Sequence, residues 1–144
     1  MTAPAVDSPQ ESNGVTAALR LLVVDDDPVH RLVIGKVGEK AGYTVTTADS
    51  VAEAAARISE HKFDCISLDL SLNGESGATV LEGIAHSSGD VLLIVISSAA
   101  AEVREETIES ARDLHLKVVE IPKPVDLSAL RAKLVTHASA ARAA

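Results

Sequence analysis

At 144 residues the chain has the size of one domain and is long enough to bury most of its surface on folding. Hydrophobic residues make up 47% but aromatics only 1%, so the core has to be built from Val, Leu, Ile and Ala, which favours α/β packing over an aromatic-rich β-sandwich. Thirteen Lys and Arg against 21 Asp and Glu leave a formal charge of −8, the wrong sign for a partner made of nucleic-acid backbone.

Residues 1–17 mix Ser, Thr, Pro, Asn and Gly with few aliphatics, and read as a mobile arm that cannot repay the entropy of ordering. Residues 18–135 read as one folded domain in which short aliphatic runs alternate with helical periodicity. The first strand, Leu19 to Val24, is apolar except for Arg20, as a strand covered on both faces would be. Pro28 suits the first turn of a helix capped by Asp27. Val29, Leu32, Val33 and Val37 then mark one face until Gly42 stops it. Tyr43 to Thr47 is the second strand. Ser50 and Glu53 make a capping box for a helix with Val51, Ala54, Ala55 and Ile58 on one stripe.

Cys65 to Leu68 is the third strand, Thr79 to His86 the centre of the third helix, and Val91 to Ile96 the fourth strand. Ala100 to Leu114 carries Val103, Ile108, Ala111 and Leu114 among many charges, as a helix with one wet face does. Lys117 to Ile121 is the fifth strand. Asp126 caps a last helix whose Leu127, Leu130 and Leu134 face inward, and residues 136–144 read as an Ala-rich tail that frays. Right-handed crossovers then predict an α/β fold with a doubly wound, five-stranded parallel sheet in the flavodoxin-like order 2-1-3-4-5 and helices on both faces. Cys65, the only cysteine, reads as a buried core residue. The N-terminus lacks a basic segment leading into an apolar stretch, and no apolar run is long enough to span a bilayer, so a cytoplasmic protein without a membrane partner is expected.

In such a sheet functional side chains gather at the carboxyl ends of the strands. Here strand one ends in Asp25-Asp26-Asp27, strand three in Asp69 and strand four in Ser97-Ser98, while Lys123 follows strand five. The predicted order brings Asp25, Asp26 and Asp69 together. Three converging carboxylates repel one another unless a cation joins them, and an all-oxygen cluster suits Mg²⁺. With the metal bound, Asp69 can act as a nucleophile toward a phosphoryl group whose equatorial oxygens Lys123 and Ser97 hold. His30, His61, His86, His115 and His137 show no metal-ligand spacing and read as solvated surface residues.

These motifs, in their order, resemble the receiver domain of two-component response regulators in its stand-alone form, over about Leu19 to Leu134. The marks are LLVVDDDP, LDLSLNGESG with Gly at five and eight residues past Asp69, VIS and PKP. The resemblance implies a signalling phosphoacceptor rather than an enzyme in the usual sense. Asp69 would be phosphorylated by a sensor histidine kinase or a histidine phosphotransfer protein. Mg²⁺ would be bound directly by Asp26, Asp69 and the backbone carbonyl of Ser71, with Asp25 helping through water. Ser97 and Lys123 would contact the phosphoryl group, and the Lys123-Pro124 bond would be cis. An unidentified downstream protein would read the switch, and the face of the fourth helix, fifth strand and fifth helix is the family's usual partner or homodimer surface.

Three positions depart from the pattern. Asn73 stands where Pro is usual, Glu120 stands where an activating Tyr or Phe is usual, and Val125 replaces the common Phe after Lys-Pro. Two further readings stay open at this stage. One is a phosphate sink or relay, or a receiver-like binding module that works without phosphate. The other is a phosphatase of the haloacid-dehalogenase type, in which Asp25-Asp26-Asp27-Pro28-Val29 reads as Asp-x-Asp-x-Val with Asp25 as nucleophile, although Ser97 to Ala100 lacks the acidic group such enzymes need.

Overall fold

The computed structural model describes residues 19–72, 75–76, 80–87, 90–98 and 101–143; the expected N-terminal arm, Asn73 and the glycines at 74 and 77 lie outside them. Its elements are β1 (Leu19–Val24), α1 (Pro28–Lys40), β2 (Tyr43–Ala48), α2 (Val51–Glu60), β3 (Cys65–Asp69), β4 (Ser71–Leu72), β5 (Glu75–Ser76), α3 (Leu81–Ser87), β6 (Leu92–Ser97), α4 (Ala101–Asp113), β7 (Lys117–Pro122) and α5 (Leu127–Ala143). The main sheet is parallel throughout in the order β2-β1-β3-β6-β7, which is the predicted topology. The sequence reading did not contain the antiparallel ladder β4-β5. Two residues per strand are too short for any hydrophobic alternation to show.

Side chains of the central strands alternate between two cores, as the period of two demands. Leu22, Val24, Ile66, Leu68, Leu93 and Val95 pack on one face with Ile58, Ile84 and Ala111 of α2, α3 and α4. Leu21, Val23, Cys65, Ile94 and Ile96 pack on the other with Ile34 of α1 and Leu130 and Leu134 of α5.

The caps form as read. Asp27 Oδ1 accepts the N–H groups of Val29 and His30 at 2.8 and 3.3 Å. Ser50 Oγ accepts from Glu53 N–H at 3.1 Å, while the Glu53 carboxylate reaches back to Asp49 N–H rather than to Ser50. Asp126 Oδ1 accepts from Ser128 and Ala129. Gly42 ends the α1 region at φ 100°, and His115 takes φ 63° just past α4, where Leu116 N–H donates to Ala111 O.

Three helix expectations need correction. Val29 and Leu32 of α1 are more than 60% exposed, and the buried face is Ile34, Gly35 and Gly38. A Cβ on Gly38 would lie 2.5 Å from Leu21 Cδ2, so this glycine lets α1 sit close on the sheet, while Val29 and Leu32 lie on its outer side. Leu127 is likewise 41% exposed, leaving Leu130 and Leu134 to anchor α5. Residues 136–143 continue α5 instead of fraying. Ala138 is buried, Ala141 packs against the same core, and His137 Nε2 donates to Asp64 O at 2.9 Å.

Candidate functional site at the carboxyl ends of the strands

Register decides which strand ends meet. Val24 lies opposite Leu68, so Asp25 and Asp69, each one residue further, end neighbouring strands at the same level. Asp69 in turn lies opposite Ile96, and Ser97 opposite Pro122, which carries Ser97 and Lys123 to the same edge. Carboxylate oxygens of Asp25, Asp26 and Asp69 all lie within 4.8 Å of one another. Lys123 Nζ sits 3.2 Å from Asp69 Oδ2. Asp25, Asp69 and Ser97 are buried, and Asp26 is partly exposed. Asp25, Asp26, Asp69 and Lys123 therefore converge, Ser97 ends its strand at the same edge, and the Ser71 backbone follows Asp69 by two residues in β4.

Burial holds the Asp25 carboxyl above its ordinary value of 3.8, against the lowering effect of Asp27 N–H, which donates to its Oδ1 at 2.9 Å; the nearby charge of Asp69 raises it further. Asp27 moves the other way, because the N–H groups of His30 and Val29 hydrogen-bond its charged form. The Cys65 thiol is pushed strongly upward by burial, in keeping with a core role. Three oxygen donors, two of them on buried residues, make a set that fits a small hard cation.

Sequence reasoning missed His30. Its ring is 43% exposed, but its Nδ1 is buried without a hydrogen-bond partner and lies 3.6 Å from Asp25 Oδ2 and 3.9 Å from Asp27 Oδ2. The i+3 spacing from the Asp27 cap was a signal that could have found it. The ring also borders an apolar cleft of about 550 Å³ that reaches Lys123, Pro124 and Val125, next to the cis Lys123-Pro124 bond. Glu120, at the position of the usual aromatic, pairs instead with Arg104 of α4. Among the described residues no helix is long and apolar enough to cross a membrane.

A family model, "Response regulator receiver domain", matches residues 21–135. The chain is 27% identical over 140 residues to the sensor histidine kinase RcsC of Salmonella typhi, aligning 96% of its own length with 14% of that protein. It is 31% identical over 121 residues to a cyclic di-GMP phosphodiesterase of Thermotoga maritima, covering 83% of this chain and 31% of the relative. The chain thus spans a minor part of these curated relatives. A response regulator of Burkholderia pseudomallei, solved with a phosphorylated aspartic acid, a calcium ion and citrate, superposes with a TM-score of 0.70 at 26% identity, covering 87% of this chain and 71% of that one. A receiver domain protein of Methanospirillum hungatei shares the fold with a TM-score of 0.71 at 24% identity, over 85% of this chain and 98% of the other. The fold, the matched span and the four converging strand ends agree, and the chain belongs to the response regulator receiver domain family.

Proposed function

We propose that the protein is a phosphorylation-switched signalling module whose Asp69 accepts a phosphoryl group from the phosphohistidine of a sensor histidine kinase or a histidine phosphotransfer protein. The observation that carries this reading is the contact of Lys123 with an Asp69 carboxylate that also adjoins Asp25 and Asp26. In the transfer an Asp69 carboxylate oxygen forms a bond to phosphorus as the phosphorus–nitrogen bond breaks, and the departing imidazole takes up a proton. Lys123 and the Ser97 hydroxyl hold equatorial phosphoryl oxygens.

Asp26, Asp69 and the Ser71 carbonyl are the residues that would hold Mg²⁺, with Asp25 acting through water. When bound there, the ion supplies charge neutralisation for the carboxylates and the incoming phosphoryl oxygens. The all-oxygen donor set supports this, as does the presence of both a calcium ion and a phosphorylated aspartic acid in the structure of the Burkholderia relative. The sensor kinase among the relatives supports the class of donor.

The output is a changed surface for an unidentified protein partner, or a homodimer through α4, β7 and α5. Exposed Val29 and Leu32 beside the site give a protein donor an apolar footing. Intact-mass spectrometry after incubation with Mg²⁺ and a small acyl phosphate tests the proposal, with sizing of the same samples. A phosphoryl-sized gain that needs both Mg²⁺ and Asp69, and is lost in Asp69→Asn, is expected; no gain with the small donor or with candidate kinases sinks it.

A further inference from the structure

Arg104 stands in the first turn of α4, the helix that follows Ser97, and Glu120 stands three residues before Lys123 on β7. An ion pair joins the Arg104 Nε to the Glu120 Oε2. Nearer the site, Lys123 N–H donates to the Ser97 carbonyl at 3.4 Å. Ser97 is thus tied to Lys123 through backbone, and the first turn of α4 to β7 through charge.

Among the described side chains of α4, few are buried. Thr107 and Ala111 are its buried side chains among those described, with Ile108 half-buried and Leu114 half-buried just past its end, and most of the remainder are charged. A Thr and an Ala remove less apolar surface from water than the Leu residues of α5, and the ion pair adds a specific tie between this helix and β7. Its partners are 30% and 35% exposed, which screens the pair without dissolving it.

We propose that Arg104–Glu120 is a brace that keeps α4 against β7 in the resting chain and is released as Asp69 becomes phosphorylated. The second half rests on the phosphoacceptor reading. A contact made in only one of two conformations biases their populations by its own free energy, so its removal favours the other conformation. A partly exposed pair is worth roughly a two- to fivefold shift.

The test is hydrogen exchange of the full chain without phosphodonor, read by mass spectrometry on α4 peptides, for the wild type, Arg104→Gln, Glu120→Gln and the swapped pair R104E/E120R. Each single variant is expected to exchange roughly two- to fivefold faster in α4, with β1 and β3 unchanged, and the swap to restore the wild-type rate. Phosphorylation by a small acyl phosphate should quicken by a similar factor in the single variants and return in the swap. Unchanged exchange in the single variants, or a swap as loose as they are, overturns the brace. Faster exchange without faster phosphorylation overturns its release during switching. A wild type that takes no phosphoryl group on Asp69 sinks the phosphoacceptor reading, and with it the release, while the exchange data still decide the brace.

Discussion

Replacing Asp25 by Asn should make the metal-free protein more stable. Asp25 is almost completely buried, its carboxyl is held above its ordinary value of 3.8, and its oxygens lie within 4.8 Å of those of Asp26 and Asp69. At that separation two unit charges repel by about 1 kcal/mol in a water-like dielectric and about 3.5 kcal/mol at an effective dielectric near 20. Lys123 and the Asp27 N–H offset part of this. The Asn side chain keeps an acceptor for Asp27 N–H and removes the charge, so a gain of about 1–2 kcal/mol is expected, or roughly 3–8 °C in Tm for a domain of this size.

The pH dependence fixes the cause. A carboxyl whose folded pKa is raised costs nothing below its unfolded value, and its cost grows as pH rises from there through the folded value, since the folded state then holds the extra proton. The advantage of Asp25→Asn should therefore vanish below the ordinary carboxylate range and be complete at neutral pH. Saturating Mg²⁺ should reverse the order, because wild type then gains more from binding than the variant does. Calorimetry or circular-dichroism melting with chelator and with Mg²⁺, at several pH values, measures all of this. A variant that melts at or below the wild-type temperature at neutral pH in chelator, or a gap that persists in acid, would refute the reasoning.

Three stability predictions concern the scaffold. Gly38→Val places a Cβ 2.5 Å from Leu21 Cδ2 and 3.1 Å from Val45 Cγ2, so overpacking should cost about 1–3 kcal/mol in urea unfolding despite the better helix propensity. Tyr43→Phe removes the hydroxyl that donates to Leu134 O at 2.8 Å in the buried space between β2 and α5, and a loss of about 1 kcal/mol is expected from the same assay. His137→Leu cuts the bond to Asp64 O that ties the end of α5 to the start of β3. A comparable loss of about 1 kcal/mol should come with faster hydrogen exchange confined to residues 136–143.

The sequence by itself determined the order and type of the main elements, because a strand buried on both faces must be continuously aliphatic and a helix must carry its period. Leu92 to Ile96 and the capped starts at Asp27, Ser50 and Asp126 are local facts of that kind. It also placed Asp25, Asp26, Asp69, Ser97 and Lys123 at strand ends. The approach of Asp25 to Asp69 across 44 residues of chain follows from the pairing of Val24 with Leu68, and a one-residue slip there would have turned a carboxylate away.

Only the tertiary structure decided the rest. Periodicity finds apolar residues but not which of them a neighbour covers. The close seat of Gly38 on Leu21 goes with exposed Val29 and Leu32, and the core around Leu134 takes in Ala138 and keeps α5 helical beyond its last Leu. Likewise, the side chains of Arg104 and Glu120 meet only because α4 packs beside the edge strand β7. Each of these is a contact between elements whose local sequences carry no record of one another.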